Sequence, residues 1–401
     1  MDTLLKLQQT APFSFLEKID NARSPLQQTA GGTTRSEYAR RFGERNEAVT
    51  TDCRALPIYH SALPNGRRAP LLKAMITTTC ERGCRYCPFH PSTNIARIQF
   101  TPDEMASVFM QLYQSGRVHG LFLSSGLKNG GANSQNAIIE TAYILRHRFG
   151  FKGYLHLKIM PGAEIGQVHQ AMRLADRVSV NLEAPNAQRL KALAPAKRFR
   201  EELVQPLQWI EQLRAASSPH TSYNNRWPSS STQFVVGASG ESDLEILQTS
   251  QFLFTHQKLA RVYYMAFTPQ PGTPFENLPP ERPSREHHLY QASILLKHYQ
   301  FHYEELPFDE NGNLPETTDP KLALAQKTLA DNPVEINHAS PENLLRIPGI
   351  GPTGARSILK ARKVRALKDL SQLVKLGILA ERAAPFILLD GQRPSYQMQL
   401  F

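Results

Sequence analysis

A chain of 401 residues with 41% hydrophobic content can bury one large core and a smaller one beside it, which excludes a disordered or fibrous class. Its formal net charge of +11 points toward an anionic partner, although many soluble enzymes share such a balance. Four cysteines, three of them crowded between positions 80 and 87, argue against a disulfide framework and for a reducing compartment.

The N-terminus, Met1-Asp2-Thr3-Leu4-Leu5-Lys6, lacks a basic region followed by an apolar core. No apolar run reaches membrane-spanning length, so a cytoplasmic protein is expected. Residues 1–69 are polar and weakly periodic, and they predict short helices and loops around the main domain. Cys53 stands alone there; it reads as an inert buried residue, with a fourth-ligand role as the alternative.

From residue 70 to about 300, short apolar runs alternate with segments of helical period, the pattern of repeated βα units. Candidate strands are Leu71 to Thr78, Gly120 to Ser125, Gly153 to Ile159, Arg177 to Leu182, Thr232 to Val236 and Arg261 to Phe267. Thr101-Pro102-Asp103-Glu104 carries a capping box with proline at the first helical position, and Asn133 is expected to cap the next helix. Six parallel strands joined by right-handed crossovers predict an α/β fold, a partial (β/α)6 TIM-like barrel. Two segments interrupt it: the basic cluster Ala196-Lys197-Arg198-Phe199-Arg200, and Ser217 to Ser231, a polar loop. Each reads either as a solvated insertion or as a surface near the barrel mouth that meets an anionic substrate.

After a turn-rich stretch at Thr268 to Pro274, a helix is expected from Ser284 to Tyr299, then a linker with a helix over 301–332. Residues 333–401 form a small all-α C-terminal domain. In it, Ser340 to Lys360 reads as two short helices joined by Ile347-Pro348-Gly349-Ile350-Gly351-Pro352-Thr353-Gly354. Gly349 and Gly351 allow positive φ and close backbone approach, so amides opening the second helix can face a phosphate. From Ser340 to Phe401 there are ten Lys/Arg and four Asp/Glu, 10 − 4 = +6 of the chain's +11.

The chemistry centres on Thr79-Cys80-Glu81-Arg82-Gly83-Cys84-Arg85-Tyr86-Cys87-Pro88, a C-x3-C-x2-C segment just after the first candidate strand. Three thiolates on so short a loop can aim at one centre, and soft sulfur ligands select iron-sulfur clusters, zinc or Cu(I). A closed zinc site wants four ligands; His90 is the nearest fourth, though Pro88 and Pro91 favour an ordinary loop histidine. Three thiolates on a four-iron cluster leave one iron open to a small molecule.

This spacing, with Tyr86 just before the third cysteine, resembles the radical S-adenosylmethionine superfamily over roughly residues 70–300. The resemblance implies that Cys80, Cys84 and Cys87 hold a 4Fe-4S cluster whose open iron chelates S-adenosylmethionine. It implies that a low-potential electron donor then drives cleavage to a 5′-deoxyadenosyl radical. By the same resemblance, Tyr86 belongs to the cofactor pocket, and Ser124, Ser125 and Gly126 stand where the superfamily often has a Gly-Gly-Glu-like segment for the cofactor's amino group. Lys158 is placed to neutralise the cofactor carboxylate, and Asn181 and Glu183 to reach ribose hydroxyls. Gly237, Glu241 and Phe267 are placed near the adenine; for each of these strand-end residues taken alone, packing or capping is the alternative. Serines replace the usual glutamate at 124–125, which leaves that contact open.

Ile347 to Gly354 resembles the helix-hairpin-helix of DNA repair and replication proteins, which holds the sugar-phosphate backbone without reading sequence. That resemblance implies nucleic-acid contacts at Gly349, Ile350, Gly351, Thr353, Gly354, Arg356 and Lys360. A hairpin used only for packing is the alternative. The order of the two domains, with Leu121 to Gly126, Tyr154 to Ala163 and Val178 to Glu183, is similar to a family of radical proteins named for DNA modification or repair, whose reaction is not established; residues 1–69 fit that family poorly. The expected activity is radical chemistry on DNA, with RNA or a small molecule as an alternative substrate. A DNA-binding protein with a structural iron-sulfur cluster is a further alternative; glycosylases of that kind place four cysteines after the hairpin, and here no cysteine follows Cys87.

Overall fold

The computed structural model describes residues 3–16, 56–62 and 68–395. Cys53 and most of the expected N-terminal segment lie outside the described residues. The chain divides into two compact units: one runs through Glu241 and includes Phe252–Arg282, and the other takes in Ser242–Gln251 and everything from Pro283.

The first unit is built on a seven-stranded sheet in sequential order, β1 (Ile58–Ala62), β2 (Arg68–Met75), β3 (Gly120–Ser124), β4 (Tyr154–Lys158), β5 (Arg177–Ser179), β6 (Ser229–Val236) and β7 (Arg261–Ala266). Strands β2 to β7 are all parallel and curl into a half-barrel, and β1 adds an antiparallel edge to β2. All five residues of β3 are buried, as expected for a strand covered on both faces. Helices follow the strands: α1 (Thr3–Thr10) precedes the sheet, and α2 (Pro102–Gln114), α3 (Gly131–Tyr143), α4 (Ile165–Leu174), α5 (Ala187–Leu193) and α6 (Gln205–Ala216) cross between its members. The Thr101 capping box opens α2, which buries Met105, Val108, Phe109 and Leu112 along one face.

Differences from the sequence-based expectations cluster where the backbone leaves the ladder. Strand β1 arises in a segment expected to hold only helices and loops, because Ile58 to Ala62 finds a partner edge in β2 that its own weak alternation does not announce. Strand β2 ends at Met75 rather than Thr78; Thr78 N donates to Ile98 O and Thr77 bridges antiparallel to Gln99. Strand β5 stops at Ser179 rather than Leu182, since Leu182 N turns to the Thr232 hydroxyl and Glu183 adopts φ +64°. The polar loop expected to reach Ser231 ends at Pro228, with Ser229 already in β6. Asn133 does not cap α3: Gly130, at φ +90°, takes the cap position, and Asn133 donates instead to Asn129 O.

The curl leaves a polar layer inside the sheet. Lys73, Phe122 and His156 are register neighbours on β2, β3 and β4, and the Phe122 and His156 rings lie 4.4 Å apart. His156 Nε2 meets the Ser179 hydroxyl at 2.9 Å. Burial, with the cations of Arg177, Lys158 and Lys73, drives its pKa far down, so the ring is neutral.

Helix α7 (Asp243–His256) follows β6, and the second unit contains α8 (Pro283–His298), α9 (Pro320–Thr328), α10 (Pro341–Arg346), α11 (Pro352–Ala361), α12 (Leu370–Lys375) and α13 (Ala380–Ala383). A two-residue parallel pair, β8 (Val334–Glu335) with β9 (Ile387–Leu388), joins the segment before α10 to the one after α13. Asp243 is 3% exposed on the side chain and accepts from Arg285 Nε and Leu314 N, which satisfies a carboxylate that burial alone would penalise.

Candidate functional site

The cysteine segment leaves β2 and is held in shape by groups that follow it in sequence. Arg97 donates to the carbonyls of Thr78, Phe89, His90 and Thr93, closing the loop from behind. Cys87 N donates to Cys84 O and His90 N to Cys87 O, so the last two cysteines sit on tight turns, with Gly83 at φ +59° before them. On the other side Gly126 N donates to Thr77 O at 2.7 Å, and a Cβ at Gly126 would overlap the Thr79 carbonyl oxygen. Gly126 therefore lets the end of β3 lie flat against the residue before Cys80.

One cavity, open to solvent, is lined by Cys80, Cys84 and Cys87 together with residues from successive strand ends. Tyr86, Ser124, Ser125, Gly126, Lys158, Asn181 and Glu183 all face it. Thr10 and Phe13 also line it, and the Phe13 ring meets Phe89 edge to face at 5.1 Å. Gly237, Glu241 and Phe267 are not among the lining residues. The Glu241 carboxylate instead accepts from Gly237 N, Ser239 N and the Ser239 hydroxyl, closing its own turn. Phe267 is buried and packs edge to face on Phe275. His90 also lies off the cavity, with Nδ1 bonded to Ser92.

The wall carries one cation from the basic cluster that reads, in sequence, either as solvated or as a surface near the barrel mouth. This residue, Lys197, has a side chain only 8% exposed and donates to Glu183 Oε1 at 2.8 Å. It is placed by Arg82, whose guanidinium donates to Ala196 O and to Glu202 Oε1 and so fastens the segment before the π-helical turn Phe199–Val204 to the cysteine loop. A Lys-Arg-Phe-Arg run looks solvated; here Arg198 and Arg200 are exposed while Lys197 turns inward. Burial opposes ionisation of Glu183, but Lys197 and Lys158 outweigh it and hold the carboxyl below its usual range. The Tyr86 hydroxyl beside it also favours the ionised carboxylate, and the second Glu183 oxygen, Oε2, is buried without a partner of full hydrogen-bond geometry. Burial raises the Cys84 and Cys87 thiols, and burial with the Glu183 charge raises Tyr86.

These residues fit a thiolate-held iron-sulfur cluster with a small polar ligand. Three soft donors face one cavity, and the lysines beside them offset the negative charge that thiolate ligation brings. Buried thiols stay protonated until a metal supplies the compensating charge. The buried Glu183 Oε2, facing this cavity, can accept from a ligand hydroxyl. Among the described residues, no three His, Cys, Asp or Glu side chains gather around a point suited to a single metal ion.

In the second unit, α10 and α11 form the expected hairpin. Gly349 has φ +82°, and a Cβ there would stand 2.5 Å from Leu379 O. Gly351 differs from expectation: it is the cap of α11 at φ −103°, and a Cβ there would stand 3.1 Å from the Tyr299 hydroxyl, a tight approach that the ring would have to yield to by a few tenths of an ångström. Thr353, Arg356 and Lys360 are exposed along α11, whereas Ile350 is buried and Gly354 rests on Ile378.

Residues 330–387 match the helix-hairpin-helix motif family. No curated protein matches the chain. Among solved structures, methylornithine synthase (PylB) is similar at 15% identity and TM-score 0.46, covering 73% of this chain and 76% of its own. The FeFe-hydrogenase maturase HydG from Carboxydothermus hydrogenoformans is similar at 11% identity and TM-score 0.46, covering 73% and 63%. A radical SAM methyltransferase from Sphaerobacter thermophilus is similar at 14% identity and TM-score 0.41, covering 72% and 84%. At such distances the function rests on the site's own residues.

Proposed function

We propose that the chain is a radical S-adenosylmethionine enzyme whose C-terminal domain delivers it to nucleic acid, with DNA as the favoured substrate. The observation that carries this reading is the meeting of all three clustered cysteines with the carboxyl ends of β3, β4 and β5 in one cavity. When bound, a 4Fe-4S cluster with S-adenosylmethionine supplies a 5′-deoxyadenosyl radical once a low-potential donor provides an electron. Cys80, Cys84 and Cys87 would hold the cluster. Lys158 would pair with the cofactor carboxylate, and Asn181 and Glu183 Oε2 would take ribose hydroxyls. Buried Phe122, Ile159 and Met160 line the same wall and limit water beside a reactive species.

Support for a nucleic-acid substrate comes from the hairpin. The amides of Gly351, Thr353 and Gly354 find no acceptor among the described residues, as the first turn of a helix requires, and exposed Arg356 and Lys360 follow on the same helix. Such a surface takes phosphates without reading bases. Anaerobic loading with iron and sulfide, incubation with S-adenosylmethionine and dithionite, and chromatography for 5′-deoxyadenosine test the enzyme reading; a stimulation of that product by duplex DNA over single nucleosides tests the substrate class.

A further inference from the structure

The hairpin rests on a cation. Lys321, in the first turn of α9, donates from Nζ to the Ile350 carbonyl at 2.6 Å, and its ammonium stands 4.7 Å from the centre of the Tyr299 ring. Tyr299 is buried and lies directly beneath Gly351, and Ile350 is 1% exposed. The charged groups around Lys321 are largely committed elsewhere. Asp319 caps α9 through Leu322 N and is ion-paired with Arg382, and Arg346 is ion-paired with Glu305 at 2.7 Å.

A trans peptide points its C=O and N–H in opposite directions. A carbonyl of Ile350 drawn toward Lys321 therefore turns the Gly351 N–H away from Lys321, and that N–H finds no acceptor among the described residues. We propose that Lys321 is a positioning residue for the hairpin: its ammonium fixes the Ile350–Gly351 peptide with the amide outward, so that affinity for a backbone phosphate follows the charge on Lys321. This rests on the nucleic-acid reading above and adds to it a residue outside the hairpin. Although the residue is only partly buried as a whole, burial of its ammonium, opposed by Asp319 and reinforced by Arg382 and Arg346, lowers its pKa to about 7. The charge that orients the peptide is then lost within the physiological range.

The test uses the full chain, its Lys321→Met and Lys321→Arg variants, and a short fluorescein-labelled DNA duplex followed by anisotropy between about pH 6 and pH 8.5 at fixed low salt. The wild type should lose about tenfold in affinity across that range, as expected for loss of one charge-assisted hydrogen bond. Lys321→Met should bind weakly with a flat profile, and Lys321→Arg, which keeps its charge, should bind tightly with a flat profile. In protein labelled with 15N-glycine, the Gly351 amide resonance should move through an inflection near pH 7 that Lys321→Met abolishes. Identical affinity and pH profile in wild type and Lys321→Met, or a Gly351 resonance indifferent to the substitution, overturns the proposal. A wild type that shows the Gly351 inflection but ignores the duplex overturns the nucleic-acid reading instead, while the coupling of Lys321 to the hairpin stands.

Discussion

Lys197 and Glu183 form a buried ion pair, 2.8 Å between Nζ and Oε1, within the cavity that the three cysteines line. One partner comes from just past the end of β5 and the other from the loop before a π-helical turn, so the pair closes the cavity wall between two segments. Removing one member leaves the other charged and buried. We expect Lys197→Met to lower the free energy of unfolding by about 3–5 kcal/mol. The double change Lys197→Met with Glu183→Met should cost clearly less than the single changes summed. Denaturant titration of the four proteins checks this, and additive losses would show that the pair is not coupled.

Gly126 is the steric hinge of the cysteine loop. Because any Cβ there overlaps the Thr79 carbonyl, Gly126→Ala should displace Cys80 while the sheet survives. Iron and sulfide bound per chain after anaerobic loading should fall several-fold with an unchanged far-ultraviolet circular dichroism spectrum. Full loading of the variant contradicts the assignment.

Arg97 acts on the loop from the opposite side. Its guanidinium bonds four carbonyls and the Thr93 hydroxyl, so Arg97→Ala should cost about 2 kcal/mol and free the segment from Thr78 to Thr93. In metal-free protein, iodoacetamide should then alkylate Cys87 faster than in the wild type. Equal rates by mass spectrometry would show that the clamp does not restrain the loop.

In the hairpin, Gly349→Val meets both a positive φ and the Leu379 carbonyl. Duplex binding should fall at least tenfold, in line with the few kcal/mol such strain costs. Lys360→Gln, by contrast, should lower the slope of log affinity against log salt by about one while leaving the fold intact. Anisotropy titrations at several salt concentrations separate the two effects.

Lys321 also predicts a pH dependence of stability. Its pKa is lowered in the folded chain to about 7 from a usual 10.5, so between those values the unfolded state binds the extra proton. Unfolding free energy therefore rises with pH across that window, and the penalty is fully present below about pH 7. The melting temperature of the wild type should rise relative to that of Lys321→Met as the pH goes from 7 toward 10; a constant difference contradicts the shift.

Much of this was legible in the residues, and the exceptions have physical causes. All six parallel strands lie within the expected runs or a few residues from them, because strands buried on both faces write continuous apolar segments. Strand ends were less legible: Thr77 and Thr78 look like strand residues, yet pair with the chain at Ile98 and Gln99. The inward turn of Lys197 could not be read from a basic run, since its burial depends on Arg82, more than a hundred positions away, fastening Ala196 and Glu202. Gly237, Glu241 and Phe267 sit at strand ends as expected, where the Glu241 carboxylate closes its own turn and Phe267 packs on Phe275, the capping and packing that were the alternative reading of such positions. The hairpin was plain in Pro-Gly-Ile-Gly, whereas its support by Lys321 joins segments that no local pattern connects.

The claim that the three cysteines hold a cluster with an open iron is tested most directly by electron paramagnetic resonance of the anaerobically loaded, dithionite-reduced protein, with and without S-adenosylmethionine. A reduced 4Fe-4S signal that changes shape and g-values when the cofactor is added is the predicted result. It should vanish in each of Cys80→Ala, Cys84→Ala and Cys87→Ala. A signal indifferent to S-adenosylmethionine, or a cluster retained after any of those substitutions, contradicts the account.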